Sequence, residues 1–139
     1  MDNLQLSDYI FIEANKYSKY KVFIYNSLKS EFNNADLLTT SECFLIGEMS
    51  TKNNYILYDL GDFPLMSDIG YSNYPVRGEL YEVDSSILMK LDRYHYLSER
   101  KIIELEDGTE CYTYISSLKL NNKIIPCDID NKISWRIKK

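Results

Sequence analysis

The sequence has few of the residues that build metal sites, disulfide scaffolds or flexible linkers. Three cysteines, Cys43, Cys111 and Cys127, are spread along the 139 residues, and no CxxC pair occurs. This odd and dispersed set predicts no zinc site and no disulfide framework, and is typical of reduced, buried thiols inside a cell. With only 5 glycines and 3 prolines, the chain has no linker rich in Gly, Pro or Ser, and it has no internal repeat. We therefore predict one domain of ordinary size.

The sequence also lacks a basic run, a long apolar run and a targeting segment. The net charge is −5, and the basic tail formed by Arg136, Lys138 and Lys139 is too short to offset it. A nucleic acid or an anionic membrane surface is therefore not expected as the main partner. The apolar run at residues 9–12 is much shorter than a signal core or a membrane span, so we expect a cytoplasmic location. A content of 45% hydrophobic and 27% charged residues favours a folded chain over a disordered one.

Short apolar segments of the strand type are what the sequence has instead. Residues 21–25 read as a buried strand, and residues 76–83 alternate apolar and polar side chains, which predicts a strand with one solvated face. Further strands are predicted at 44–47 and 55–58 around an Asn53-Asn54 turn, at 102–105 and 111–115 in a hairpin across Asp107-Gly108, and in a small hairpin across Asn121-Asn122. Residues 61–75 read as a loop. Residues 1–18 fit a helix or a strand equally well.

One helix is predicted clearly over residues 85–94. Asp84 is a suitable N-cap, and Ile87, Leu88 and Leu91 form one apolar stripe. The i, i+4 step from Leu91 reaches His95, the single histidine of the chain. A shorter helix ending at Leu38 is predicted after Asn33 or Asn34. Because strands outnumber helices, the predicted fold class is α+β with a mixed sheet.

Four segments, in order, carry a family resemblance. They are Tyr25-Asn26-Ser27-Leu28, the segment from Tyr55 to Pro64, the strand from Val76 to Val83 (Val-Arg-Gly-Glu-Leu-Tyr-Glu-Val), and Leu91-Asp92-Arg93-Tyr94-His95, with Arg100 and Trp135 following. Together they resemble the γ-glutamylcyclotransferase-like (AIG2-like) family over about residues 20–136. The resemblance implies a small mixed β-barrel with one or two packed helices over residues 19–139, preceded by an extension at 1–18. It also implies a pocket between the 25–28 loop and the end of the helix.

The resemblance further implies a reaction. Enzymes of the family let the α-amine of a γ-glutamyl group attack its own γ-carbonyl, which releases pyroglutamate and a free amine. A carboxylate removes the ammonium proton and loop N–H groups hold the substrate, so no cofactor and no metal are implied. The residues at the substrate-binding positions are Tyr25, Asn26, Ser27, Leu28 and Tyr114. Tyr112 shares the strand face of Tyr114, and core packing is an equal alternative for either tyrosine.

This chain departs from the family pattern at two of these positions. His95 stands where the family has its catalytic glutamate, and Asn26 stands where it has a loop glycine. An imidazole near a helix C-terminus is expected to be positively charged and to repel an ammonium group. Asn tolerates a positive φ, so the turn is expected to survive, with the Asn26 side chain filling space used by the substrate. Loss of the base alone costs about 10²–10⁴-fold in rate.

Several functional hypotheses stay open from the sequence. The leading one is a retained pocket for a γ-glutamyl-like or other carboxylate ligand, with cyclisation lost or greatly weakened. The alternative is an active cyclotransferase with His95 as base, which would lose activity below about pH 6.5. Others are a His95 that only caps its helix, a Ser27–His95 nucleophile pair without a third member, and Glu79 recruited as base in place of a structural role. A partner-binding domain is also open, with residues 1–18 as the expected homodimer or protein contact.

Overall fold

The computed structural model describes residues 19–26, 28–29, 43–69 and 74–135, together with the single positions Gln5 and Leu38. Apart from those two positions, the predicted extension at residues 1–18 and the predicted helix ending at Leu38 lie outside the described residues. Ser27 does so as well.

The described chain contains eight strands and one helix. They are β1 Tyr20–Ile24, β2 Cys43–Asn54, β3 Ile56–Asp59, β4 Pro64–Ser67, β5 Pro75–Val83, α1 Ser85–Tyr94, β6 Glu99–Glu104, β7 Glu110–Ile115 and β8 Lys123–Ile124. No helix in these described ranges is long and apolar enough to cross a membrane.

The strands form two sheets. Five strands lie in the order β2-β5-β1-β7-β6, and three lie in the order β4-β3-β8. The β1–β7 pair is parallel and the other pairs are antiparallel, so the larger sheet is mixed. Its two edges meet at one bridge between Thr51 and Leu105, where the Glu106 N–H donates to the Ser50 carbonyl at 2.9 Å. The sheet is therefore curled, and a single bridge joins its edges instead of a full ladder. The predicted mixed α+β fold is confirmed.

Helix α1 forms where the sequence predicts it. The Asp84 carboxylate accepts the Ile87 N–H at 2.9 Å, which satisfies one of the free donors of the first turn. Ile87, Leu88 and Leu91 are buried against β1 and β5. Each such side chain contributes roughly 1.5–3 kcal/mol of burial free energy. This stripe fixes α1 on the sheet, and thereby places the residue after the helix, His95, beside the end of β1.

The burial of β5 at the centre of the larger sheet contradicts one prediction from the sequence. β5 was expected to have a solvated face, but it lies between β2 and β1 and is mostly buried on both faces. A side chain at Gly78 would collide with the Ile24 carbonyl and the Phe23 ring, so glycine is needed for β1 to approach this closely. This close approach lies at the end of β1, where Ile24 pairs with Glu79 of β5.

Three other local predictions differ from the structure. β2 continues through the predicted turn at Asn53-Asn54, because it pairs with β5 up to Ser50 and, after a register shift, again at Asn54. The predicted loop at 61–75 contains β4, which pairs with β3. The predicted hairpin across Asn121-Asn122 is absent from the described residues, where β8 pairs with β3 instead. In each case a strand distant in sequence, or an unexpected neighbour, supplies the hydrogen bonds.

Candidate functional site

A cavity of about 390 Å³ lies between the end of β1, the end of α1 and the start of β4. We call it the apolar cavity. The described residues that line it are Tyr25, Asn26, Phe63, Pro64, Leu65, Arg93, Tyr94, His95, Tyr96, Leu97 and Ser98. The position agrees with the pocket implied by the family resemblance, because residues of the loop after β1 and of the helix end share one space.

Asn26 organises the loop at the floor of this cavity. Its Oδ1 accepts the Leu28 N–H at 3.1 Å, and its backbone carbonyl accepts the Lys29 N–H at 3.0 Å. Its Nδ2 lies 2.6 Å from His95 Nε2. Among the described residues other than glycine, only Asn131 has a positive φ. Asn26 therefore does not use the positive φ that Asn tolerates.

The hydrogen bonds of His95 fix its tautomer. Its Nδ1 lies 2.8 Å from the Leu91 carbonyl oxygen, which can only accept, so Nδ1 carries the proton. Nε2 therefore presents its lone pair, and this lone pair accepts the Asn26 amide N–H. Both ring nitrogens are thus hydrogen-bonded to protein groups. The hypothesis of a histidine that caps its helix accounts for the contact with the Leu91 carbonyl, but not for the contact with Asn26.

His95 is neutral, contrary to the expectation from its place at a helix C-terminus. Burial lowers its pKa to about 4, and the hydrogen bond to the Leu91 carbonyl only partly opposes this. The imidazole lies flat on the Tyr114 ring, with centroids 3.9 Å apart and planes 2° from parallel. The predicted positive group facing the loop is therefore corrected to an uncharged, stacked ring.

Tyr114 supports the site from behind. Its hydroxyl donates to Asp92 Oδ1 at 2.7 Å, and Asp92 Oδ2 pairs with Arg100 at 3.2 Å. Its backbone carbonyl accepts the Tyr25 hydroxyl at 2.7 Å. Burial raises the pKa of both tyrosines. These contacts occupy the polar groups around His95, and Asp92 bonds to Tyr114 instead of completing a triad with His95.

The structure brings together some of the predicted site residues. Tyr25, Asn26 and His95 share the apolar cavity. Leu28 is buried in the core beside α1, and Tyr114 lies beneath His95, so neither is among the described lining residues. Their roles toward a ligand stay predictions, as does that of Ser27, which lies outside the described residues.

Glu79 lines a different cavity, of about 420 Å³, which we call the charged cleft. Its described lining residues are Lys29, Glu48, Met49, Ser50, Arg77, Gly78, Glu79, Glu106, Asp107, Lys132 and Ser134. Glu79 is buried there and accepts the Tyr81 hydroxyl at 2.8 Å. It is not among the described residues that line the apolar cavity, which favours the structural reading of Glu79 over recruitment as a base.

Sequence reasoning missed most walls of the apolar cavity. Residues 63 and 64 end the segment that carries the family resemblance, and residues 96–98 follow the predicted helix. Neither position indicates a cavity wall. The signal available was their apolar and aromatic content: Phe63, Leu65, Tyr96 and Leu97. That content becomes informative only once the β3–β4 hairpin and the helix end are known to face each other.

Comparison with known proteins agrees with this geometry. Residues 22–133 match the sequence model of the family described as gamma-glutamyl cyclotransferase, AIG2-like. The chain belongs to this family. A Vibrio cholerae protein named "Putative gamma-glutamylcyclotransferase" is 34% identical over 110 residues, which cover 76% of this chain and 91% of that protein.

Solved structures of similar fold extend the comparison. An AIG2-like protein from Mus musculus has a TM-score of 0.63 at 24% identity, covering 74% of this chain and 80% of its own. A uropathogenic E. coli-specific protein has a TM-score of 0.68 at 16% identity, with coverage of 78% and 88%. At these identities the structures establish the fold that this chain shares with the AIG2-like family, and no more.

Proposed function

We propose that this γ-glutamylcyclotransferase-like chain binds a small ligand in the apolar cavity and that its cyclisation activity is absent or greatly weakened. The observation that carries the proposal is the position of the Asn26 side chain. Its amide bridges the Leu28 N–H and His95 Nε2. These are the loop donor and the base position that the family would present to a substrate. The cytoplasmic location and a dimer or partner contact through residues 1–18 stay predictions.

The loop donor is the first part of the argument. A substrate carbonyl that used the Leu28 N–H would have to displace Asn26 Oδ1, which accepts it at 3.1 Å. The exchange of one hydrogen bond costs little by itself, about 1 kcal/mol. The displaced Asn26 amide would also leave His95 Nε2, however, and both groups are buried. Leaving buried polar groups unpaired costs about 1–3 kcal/mol each. The occupied loop therefore opposes substrate binding.

The second part of the argument concerns the base. Burial shifts the pKa of a carboxylate and that of an imidazole in opposite directions. Burial raises the pKa of a carboxylate, which makes it a better proton acceptor, and lowers the pKa of an imidazole, which makes it a worse one. The pKa of His95 is lowered to about 4. An α-ammonium group has a pKa of about 8, so proton transfer to His95 would be uphill by about 5 kcal/mol. The same environment that would favour a glutamate thus disables a histidine.

An active cyclotransferase with His95 as base is the second candidate. The observation in its favour is that His95 is neutral at pH 7 and directs its lone pair toward the loop after β1. Such an enzyme would keep its activity through pH 6.5 and lose it near pH 4, where His95 protonates. The sequence predicts loss of activity below about pH 6.5, and the burial of the imidazole moves that loss to a lower pH.

A coupled pyroglutamate assay with a panel of γ-glutamyl amines and peptides tests the proposal. We expect the wild-type chain to release none above background. The double variant Asn26→Gly with His95→Glu clears the loop donor and restores a carboxylate, and should gain at least about 100-fold over wild type. The matched control, Asn26→Gly with His95→Gln, clears the loop without a base and should stay inactive.

Release of pyroglutamate by the wild-type chain at rates typical of enzymes would overturn the proposal. A folded double variant that binds none of the γ-glutamyl compounds would show that the pocket is not retained. Circular dichroism and thermal unfolding of each variant establish that it is folded, since a buried glutamate at position 95 removes the stacking contact with Tyr114.

A further inference from the structure

A series of hydrogen bonds crosses the floor of the apolar cavity, and each bond has a fixed direction. The Leu28 N–H donates to Asn26 Oδ1 at 3.1 Å, and Asn26 Nδ2 donates to His95 Nε2 at 2.6 Å. His95 Nδ1 then donates to the Leu91 carbonyl at 2.8 Å. A backbone N–H can only donate, and a backbone carbonyl can only accept. Because both ends of the series are backbone groups, no bond in it can be reversed.

The two groups on either side of the Asn26 side chain set a narrow chemical requirement. The group between them must accept a hydrogen bond from the Leu28 N–H and donate one to His95 Nε2. A neutral carboxamide does both, through its carbonyl oxygen and its N–H. An ionised carboxylate or a ketone can accept but cannot donate, and would turn a lone pair toward the lone pair of the imidazole. The floor therefore discriminates between groups of nearly the same shape.

Burial makes this requirement strict. Asn26 is 2% exposed and His95 is 8% exposed, so water does not readily replace a missing partner. The imidazole is held in its plane, because it stacks on the Tyr114 ring with centroids 3.9 Å apart. The bond from Nδ1 to the Leu91 carbonyl, together with the low pKa that burial gives the ring, keeps a lone pair on Nε2. Donor and acceptor are thus in place before any ligand arrives.

We infer that the floor of the apolar cavity is a carboxamide-binding subsite, and that the Asn26 side chain closes it by occupying it as a built-in ligand. A tethered amide has a high effective concentration, so a free compound has to displace it to reach Leu28 and His95. The inference rests on the proposed function, because it takes the apolar cavity as the ligand site, and it names the group that the site recognises. The amide bond of a γ-glutamyl amine carries the same oxygen acceptor and N–H donor, so Asn26 mimics that part of such a compound.

Opening the subsite tests the inference. Asn26→Gly removes the tethered amide and leaves the Leu28 N–H and His95 in place. Three compounds with the same number of heavy atoms are then compared, namely propionamide, propionate and 2-butanone. Binding to the full wild-type chain and to the full variant chain is measured by thermal unfolding and by ¹H–¹⁵N NMR at about pH 7, where His95 is neutral.

We expect propionamide to bind the Asn26→Gly variant in the millimolar range, as suits so small a ligand. Propionate and 2-butanone should bind at least about tenfold more weakly, because each leaves His95 Nε2 without a donor. The wild-type chain should also bind propionamide at least about tenfold more weakly than the variant does, because Asn26 fills the subsite. In the variant, the NMR signals of the Leu28 N–H and of the His95 ring should move with propionamide.

Asn26→Asp tests the same requirement in a side chain of unchanged shape. Its carboxylate can still accept the Leu28 N–H, but it has no proton to donate to His95. The imidazole should therefore take up a proton at Nε2, and its pKa should rise from about 4 to at least about 6, because an adjacent negative charge favours the charged ring. The ¹⁵N chemical shifts of the His95 ring, recorded against pH, measure this rise.

The outcomes separate this inference from the proposed function. The inference is overturned if propionate or 2-butanone binds Asn26→Gly as tightly as propionamide, or if the His95 pKa is the same in Asn26→Asp and in the wild-type chain. Should Asn26→Gly unfold without ligand, propionamide is still expected to raise its unfolding temperature more than the other two compounds do, and equal effects would overturn the inference. Release of pyroglutamate by the wild-type chain refutes the proposed function, whatever the binding results are.

Discussion

The two cavities of this protein have similar volumes, about 390 and about 420 Å³, and opposite ways of satisfying their polar groups. In the charged cleft, polar side chains are satisfied by ion pairs near water. Arg77 pairs with Asp128 and Asp130, and Lys132 pairs with Glu106. In the apolar cavity, polar groups are satisfied by hydrogen bonds between buried neutral groups. Asn26 is hydrogen-bonded to His95, which is hydrogen-bonded to the Leu91 carbonyl near the end of α1.

This difference predicts which substitutions will lower the stability of the protein most. An exposed ion pair contributes about 0–1 kcal/mol because water replaces either partner. A buried hydrogen-bonded group has no such substitute, and losing its partner costs about 1–3 kcal/mol. The floor of the apolar cavity should therefore dominate stability, although most of the charge lies in the other cleft. Three measurements test this contrast.

Tyr114→Ala should have the largest effect. It removes a buried ring that stacks on His95 and packs against α1, and we expect a loss of about 3–5 kcal/mol in the free energy of unfolding, measured by urea denaturation. Tyr114→Phe is the control, since it deletes only the hydroxyl bond to Asp92 and should cost about 1 kcal/mol. If the two variants were equally stable, the stacked ring would not be the support of the floor.

The pH dependence of stability should show the next effect. The pKa of His95 is about 4 in the folded chain and near 6.5 when unfolded, so the unfolded chain binds the proton more readily between these values. The contribution is complete above about pH 6.5 and is lost as the pH falls toward 4. Over this window the wild-type chain should lose about 3 kcal/mol more than His95→Gln, measured by urea denaturation at several pH values. Parallel curves for the two proteins would mean that the imidazole is hydrated in the folded state.

Lys132→Ala in the charged cleft should have the smallest effect. It breaks the pair with Glu106, whose atoms lie 3.0 Å apart and whose carboxylate side chain is 45% exposed. We expect a change below about 1 kcal/mol that shrinks further in about 0.5 M salt, measured by the same denaturation. A cost comparable to that of Tyr114→Ala would erase the contrast between the two cavities.

Much of the site's framework could be predicted from local patterns. The Asp84 cap and the stripe of Ile87, Leu88 and Leu91 define α1 and the position of His95, because both signals lie within a few residues of each other. The resemblance to the family then placed the loop at Asn26 opposite the helix end, and the two side chains do meet.

The charge of His95 and the cavity walls could not be predicted in the same way. The helix end favours a protonated imidazole, and only the burial of the ring in the folded chain reverses this. The 63–65 wall follows Gly61 and contains Pro64, which read locally as a loop, whereas β4 forms because β3 pairs with it. Such features depend on partners far along the chain, which local propensity does not register.

The central position of β1 has a consequence for how the chain acquires its structure. β1 lies between β5 and β7, and the Thr113 hydroxyl of β7 donates to the Phe23 carbonyl of β1 at 2.8 Å, a contact across 90 residues. During synthesis, the first of these strands must wait for the last before its second edge is covered. We therefore expect slow, late assembly, and nascent chains that end before residue 110 should expose a strand edge to chaperones or to aggregation.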